Sequence, residues 1–260
     1  MLRSLLKYLG VYWVYERWLY HTVSSKPMPS HIALILDGNR RWAQRHGWPS
    51  WLGHRAGADR VEDILSKILR LGVETVTLYV LSTENLRRNH EEVLELFRLI
   101  RERAARLKTN QDIHRYRVRV KVLGRKEYLP EEVVAALNEL EEATKTYGDH
   151  FLNLAIAYGG RVEILDAVKK IAHEVKTGSL NVDEITEETF EKHLYTSDVP
   201  NPEPDLIIRT SGEARISNFL LWQSAYSELV FQDVYFPDFR MIDLLRAVRT
   251  YQSRRRRFGL

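Results

Sequence analysis

The chain reads as a single-domain α/β protein, with a mostly parallel central sheet of about six strands flanked by helices. Three observations predict this. Short apolar runs alternate along the chain with longer segments whose apolar residues repeat at the helical period. The connections between them are short, as in sheets built from strand–helix–strand units. At 260 residues and 44% hydrophobic composition, the chain can bury one sizeable core.

The first twenty residues carry Leu2, Leu5, Leu6 and Leu9 at helical spacing, with Tyr8, Tyr12, Trp13, Tyr15, Trp18 and Tyr20. They predict an amphipathic helix over 1–23, packed on the domain or lying at a membrane interface. No run approaches the ~20 apolar residues of a membrane span. Ser24 to Pro29 reads as a stiff linker, and the main domain is expected over 31–260. Residues 31–37 form an apolar strand. A helix over 55–71 follows, with Val61, Ile64, Leu65, Ile68 and Leu69 on one stripe and Gly72 as its stop. Residues 73–81 form a second strand, and 91–107 a long helix striped by Val93, Leu94, Leu96, Phe97 and Ile100. In 116–123, Val118, Val120 and Val122 alternate with Arg117, Arg119 and Lys121, the pattern of a half-exposed strand near a sheet edge. Pro130 opens a helix as its first residue, running to about Thr146. Residues 151–157 are a buried strand, and Gly159-Gly160 turns into a helix through about Lys176. Strands over 205–209 and 229–235 and a helix from about Met241 complete the pattern.

The formal charge of +4 suits an anionic ligand, a nucleic acid or an anionic membrane without choosing among them. With no cysteine, disulfides, thiolate catalysis and cysteine zinc sites are excluded. The arginines from Arg98 to Lys126 fall on the polar sides of a helix and a strand, so a solvated face explains them better than nucleic acid does.

Two segments carry the chemistry. Residues 31–42 end an apolar strand in Asp37-Gly38-Asn39-Arg40-Arg41-Trp42, and residues 205–218 end another in Arg209-Thr210-Ser211-Gly212-Glu213-Ala214-Arg215-Ile216-Ser217-Asn218. Each puts backbone N–H groups and guanidinium forks at the carboxyl edge of a sheet, where phosphate groups bind well. Two such loops suggest two phosphate-bearing groups held side by side. Asp37 is placed to hold a divalent cation against a diphosphate, since Mg²⁺ takes one or two carboxylates plus substrate oxygens. Turn formation and helix capping would explain Asp37 and Asn39, but not the two arginines and Trp42 that follow. Arg209 comes directly off an apolar strand, so it is paired or binds a ligand. Glu213 could pair with either nearby arginine, and Glu228 could meet the metal or pair with an arginine. Ser82-Thr83-Glu84-Asn85 and Arg88 end the second strand and would share an edge with Asp37 if the strands are neighbours. His54, between Gly53 and Arg55, reads most simply as a structural residue. The phosphate-loop, dinucleotide and aspartate-rich diphosphate motifs are missing, so arginines and backbone amides carry most of the charge.

At this point the match becomes specific. The pieces HIALILDGNRRWA, GHRAG, TLYVLSTEN, NLAIAYGGR, DLIIRTSGEARISNFLLWQSAYSEL and RRRRFG resemble the cis-prenyltransferase family, which includes undecaprenyl and dehydrodolichyl diphosphate synthases. They occur in family order and cover nearly everything from His31 to Gly259. The N-terminal helix and the STENL wording look closer to archaeal members. The resemblance implies a cytoplasmic homodimer, touching the inner face of the membrane at most peripherally, with a hydrophobic tunnel beside the sheet. It implies Mg²⁺-dependent condensation of isopentenyl diphosphate with an allylic diphosphate primer, giving a long-chain Z-polyprenyl diphosphate for lipid carrier synthesis. Asp37 would position the metal, approached by Glu228. Gly38, Asn39, Arg40 and Arg41 would cradle the allylic diphosphate, with Trp42 and His54 lining the site. Ser82, Thr83, Glu84 and Asn85 match the segment at the reacting carbons, with Asn85 as proton-abstraction site and Arg88 nearby. Arg209, Arg215, Ile216 and Ser217 would hold isopentenyl diphosphate, and the tail ending in Arg257-Phe258-Gly259 would reach the partner's site. Ser50, Leu81, Leu86, Asn89 and Ala214 depart from the usual bacterial pattern, which leaves the primer open between geranylgeranyl and farnesyl diphosphate, the archaeal likeness pointing to the longer one.

Three other readings compete. A non-catalytic partner subunit of the same fold would be expected to lose the Asp-Gly-Asn loop, which is present. An Asp-dependent phosphohydrolase would want a second acid where Asn39 stands. A nucleic-acid module rests only on the basic tail.

Overall fold

The computed structural model describes residues 11–254. The sheet is six-stranded and every pairing in it is parallel. Its strands are β1 (His31–Ile35), β2 (Thr75–Ser82), β3 (Val118–Leu123), β4 (His150–Tyr158), β5 (Leu206–Arg209) and β6 (Glu228–Phe231), in spatial order β3-β4-β2-β1-β5-β6. From β1 the chain winds first toward β2, β4 and β3, then returns to build β5 and β6 on the other side. The order therefore reverses at β1, and the crevice beyond the carboxyl ends of β1 and β5 is where open α/β sheets bind ligands.

The helices are α1 (Val11–Ser24), α2 (Asn39–Arg45), α3 (Ser50–Arg70), α4 (His90–Lys108), α5 (Gln111–Arg115), α6 (Glu131–Thr144), α7 (Gly160–Thr177), α8 (Glu187–Glu191) and α9 (Met241–Ser253). The larger apolar cluster joins one face of the sheet to α1, α3, α4, α6 and α9, through residues such as Ile32, Leu78, Ile64, Ile100, Leu137 and Leu245. A smaller cluster on the other face gathers Ala33, Ile35, Ala155, Tyr158, Phe219 and Leu220. The split follows from strand alternation: Ile32 and Leu34 face one way, Ala33 and Ile35 the other. β3 lies at the sheet edge with Val118, Val120 and Val122 buried, as its alternation predicts.

Several boundaries differ from the sequence reading, among them the end of β1, at Ile35 and not at 37. Pro130 is the extended residue before α6, not its first helical residue. The helix containing His54 begins at Ser50, so His54 sits inside it rather than at its start. β6 ends at Phe231, because residues 232–234 leave the ladder to hold the neighbouring loop: Ser211 and Gly212 donate to the carbonyls of Val234 and Gln232. The expected N-terminal helix is present as α1. Leu19 and Val23 are fully buried and it packs on α9, while Trp13, Val14 and Trp18 are exposed. Residues 1–10 of that expectation, and the tail from Arg255 to Leu260, lie outside the described residues. Among the described residues no helix is long and apolar enough to cross a membrane.

Candidate active site

β1 ends at Ile35, whose partner in β5 is Arg209. That register brings the two phosphate-type loops together. Asp37 Oδ2 accepts from Arg209 at 2.8 Å, and Oδ1 accepts from Arg41 at 3.2 Å and from the Gly38 N–H at 2.7 Å. Thr210 ties the loops a second time, its hydroxyl donating to the Asp37 carbonyl at 2.7 Å. Arg209 is 5% exposed, and its guanidinium also donates to Ser217 Oγ at 2.6 Å and to the Arg215 carbonyl. Arg41 donates to Ser211 Oγ at 2.7 Å and to Glu213 at 3.0 Å, and Glu213 also pairs with Arg215. Burial pushes the Asp37 carboxyl up, but hydrogen bonds from Arg209 and Ser211 and the charges of Arg209 and Arg41 outweigh it and hold the group below its ordinary range.

Gly38 is required here by the protein's own packing. Its φ is +102°, and a Cβ would lie 2.6 Å from the Tyr235 ring and 3.1 Å from Ser211 Cβ. The sequence reading assigned this glycine to close approach of a ligand; the closest neighbours are side chains of the chain itself. Gly53 plays a similar part between α2 and α3, where a Cβ would meet the Asn39 carbonyl at 2.1 Å. No side chain caps α2, so its first-turn N–H groups face the cavity mouth beside Asp37.

A cavity of about 660 Å³ lies over these loops. Asp37, Gly38, Asn39, Arg40, Arg41, His54, Ser82, Glu84, Asn85, Arg88, Arg209 and Ser217 all line it, which brings together most of the residues singled out from sequence. The turn after β2 is held by its own side chains. The Ser82 N–H donates to Asn85 Oδ1 at 3.2 Å and the Asn85 N–H to Ser82 Oγ at 3.1 Å. His54 bonds Glu92 at 3.1 Å, and Arg88 reaches the same carboxylate at 2.9 Å. Burial lowers the His54 pKa, with the Glu92 hydrogen bond and charge opposing.

Other residues stand elsewhere. Trp42 does not line the cavity; it packs on His46 and Trp48, with centroids 4.5 and 5.4 Å away. The helical step from Arg41 turns it outward. Thr83 lies just behind the wall, donating to Glu84 at 3.2 Å. The Arg215 side chain points to Glu213 instead of the cavity, and the Ile216 carbonyl is taken by the Phe219 N–H at 3.2 Å. Glu228 opens β6 opposite Leu206, at the amino edge of the sheet, and pairs with Arg254. Within one chain it cannot join Asp37, because parallel strands put their first and last residues at opposite edges. Sequence reasoning missed Tyr79, Gln44 and Asn218 as lining residues. Tyr79 carried only a strand signal, and Gln44 none.

A divalent cation fits this site only as a shared guest. Among the described residues no three His, Cys, Asp or Glu side chains group closely enough to hold a metal alone. Asp37 offers one carboxylate at the cavity edge, its side chain 28% exposed, which suits Mg²⁺ completed by diphosphate oxygens and water. An apolar cavity of about 120 Å³ opens from the polar one, sharing Leu36, His54, Val80 and Leu96 and running on past Val61, Ile100 and Leu137. It lies far below the ~300–1,000 Å³ of drug-sized ligand pockets, so it is not a formed tunnel for a long chain.

A cluster of arginines and backbone amides on one side and an apolar recess on the other define an enzyme for a molecule with an anionic head and a hydrocarbon body. The comparisons specify it. Residues 35–259 match the family model described as "Putative undecaprenyl diphosphate synthase". Among similar proteins are tritrans,polycis-undecaprenyl-diphosphate synthases, named geranylgeranyl-diphosphate specific. That of Methanopyrus kandleri is 56% identical, covering 96% of this chain and 91% of that one. That of Pyrococcus horikoshii is 53% identical, covering 95% and 93%. Among solved structures, lavandulyl diphosphate synthase from Lavandula x intermedia, in complex with dimethylallyl diphosphate, superposes with a TM-score of 0.85 at 38% identity, covering 90% of this chain and 99% of that one. The chain belongs to the undecaprenyl diphosphate synthase family of cis-prenyltransferases, and it is of archaeal type.

Proposed function

We propose that the protein elongates geranylgeranyl diphosphate with successive isopentenyl diphosphate units, each addition making a Z double bond. The observation that carries this is the contact of Asp37 with both Arg209 and Arg41, beside an apolar recess. Two diphosphate loops face one cavity at the strand-order reversal, with space for hydrocarbon adjoining. The similarity to geranylgeranyl-specific archaeal relatives supports the primer.

Gly38, Asn39, Arg40 and Arg41 hold the allylic diphosphate at the start of α2. Arg209 and Ser217 hold isopentenyl diphosphate, with Arg215 swinging in from Glu213. Asp37 would hold Mg²⁺, which supplies positive charge to the departing diphosphate when bound. The allylic C–O bond breaks and pyrophosphate leaves. The double bond of isopentenyl diphosphate attacks the allylic carbon, and the proton it then loses, beside Asn85 and Ser82, goes to the departing pyrophosphate. Positioning and charge neutralisation do most of the work. Asn39 stands where an Asp-dependent phosphohydrolase would want its second acid, and the arginines around Asp37 suit binding of diphosphate groups. The retained Asp37 likewise speaks against a non-catalytic subunit. Homodimer formation, with the basic tail completing the partner's site, belongs to the same reading. So does contact of the exposed Trp13, Val14 and Trp18 with a membrane surface.

The test is incubation with labelled isopentenyl diphosphate, Mg²⁺ and either primer, followed by chromatography of the polyprenols. Long Z-polyprenyl products with geranylgeranyl diphosphate preferred are expected. Absence of incorporation with both primers would overturn the reading.

A further inference from the structure

We propose that Asn218 is a positioning residue that locks the turn after β2 to the loop after β5, and so holds the residues at the reacting carbons in register with the isopentenyl diphosphate site. The inference rests on the reaction assigned above. Asn218 lines the cavity yet spends its polar groups on the protein. Its carbonyl accepts from the Gly160 N–H at 2.7 Å and its Oδ1 from the Arg161 N–H at 2.9 Å, so it satisfies two first-turn donors of α7 from outside that helix. Its Nδ2 reaches the other way, donating to Glu84 Oε1 at 2.8 Å. Between these contacts sits Gly159, where a Cβ would lie 2.7 Å from Asn218 Nδ2 and 2.8 Å from Thr83 Oγ1. The loops after β2, β4 and β5 therefore meet at one side chain.

The segment around it is strained. Ser217, Asn218 and Leu220 have φ of +49°, +63° and +44°. Non-glycine residues hold such angles only where the surroundings over-determine them. Arg209 fixes the Ser217 hydroxyl, the Tyr79 hydroxyl donates to the Ser217 carbonyl at 3.3 Å, and the Tyr79 ring stacks on Phe219 with centroids 4.5 Å apart. Ser217, on the isopentenyl side, is thus coupled through the backbone to Asn218, and Asn218 through its Nδ2 to Glu84. Helix capping and tolerance of left-handed backbone account for the Asn218 carbonyl, Oδ1 and φ. They leave the Nδ2–Glu84 bond unexplained, and that bond joins the turn after β2 to the isopentenyl side of the cavity.

Asn218→Asp separates the two roles. It keeps the backbone tolerance and an acceptor for Arg161, and it sets a carboxylate against Glu84. Combining it with Glu84→Gln turns the bond around, with donor and acceptor exchanged. Asn218→Asp is expected to lower kcat/KM for isopentenyl diphosphate about tenfold, the scale of a lost hydrogen bond to a charged group, with the melting temperature nearly unchanged. The double variant is expected to recover most of that loss. Asn218→Asp within twofold of wild type, or a double variant no better than the product of the singles, would overturn the proposal. If wild type itself shows no turnover, the assigned reaction fails, and calorimetric titration with inorganic pyrophosphate and Mg²⁺ decides the coupling. Weaker binding by Asn218→Asp, restored in the double variant, supports it; equal binding by all three refutes it.

Discussion

Asp37 and Glu163 are both carboxylates held by several hydrogen bonds, and their surroundings drive them in opposite directions. Asp37 sits at the cavity edge against two guanidinium groups, and its pKa falls despite partial burial. Glu163, on α7, is 1% exposed and meets neutral donors only: the Tyr158 hydroxyl, the Gln223 amide at 3.1 Å and the Tyr195 N–H at 2.9 Å. Burial raises its pKa more than those bonds lower it. Hydrogen-bond count therefore does not set the direction of the shift; the depth of burial and the charge of the partners do. Asp37 and its arginines form a site able to exchange ions with substrate. Glu163 and its partners form an interior joint beneath the loop that carries Ser217.

The largest effect is expected from Asp37→Asn. It keeps the shape and a partner for the buried Arg209 and removes the charge. Turnover should fall on the order of 10²–10³-fold, the scale for losing one preorganised electrostatic contact, while the circular dichroism and melting temperature stay near wild type. Wild-type rates in that variant would erase the contrast. Next, Glu163→Leu strands the Tyr195 N–H and the Gln223 amide in the interior. It should cost about 3 kcal/mol of stability by denaturant titration. Glu163→Gln keeps one acceptor oxygen and should cost less than Glu163→Leu, by about 1 kcal/mol or more. Equal losses in the two variants would mean that the retained acceptor does not matter. The subtlest contrast is in titration. By carboxyl NMR, Asp37 should protonate below the ordinary aspartate value and Glu163 above the ordinary glutamate value. The linkage signs follow. Asp37 contributes stability that is present above its unfolded pKa and lost as pH falls through its folded one. The contribution of Glu163 is present below its unfolded pKa and lost as pH rises through its folded one.

Much of the fold was legible because its signals are local. Strand alternation placed β3 at an edge from Val118, Val120 and Val122 alone, and the helical stripe of α4 was readable from Val93 to Ile100. The site was legible wherever a polar residue closed or followed a buried strand, as with Ser82, Arg209 and Asp37. Glu228 and Trp42 show the limit. Glu228 resembles Asp37 in lying beside an apolar run, but it begins its strand where Asp37 follows one, so the sheet carries the two to opposite edges. Trp42 is contiguous with Arg41, yet one helical step directs it to His46 and Trp48. Asn218 stood in the quoted motif, but nothing local marks a residue whose partners are Glu84 and Arg161.

From its order of residues alone, this protein determines the alternation of strands and helices and the two arginine-bearing loops that close apolar strands. These depend on periods of two and 3.6 residues and on local turn chemistry. Tertiary structure alone decided that β5 lies beside β1, with Arg209 opposite Ile35, so that Asp37 meets a guanidinium 172 positions away. Pairing between strands so distant in the chain is chosen by the burial of the whole sheet, which no short stretch of sequence encodes.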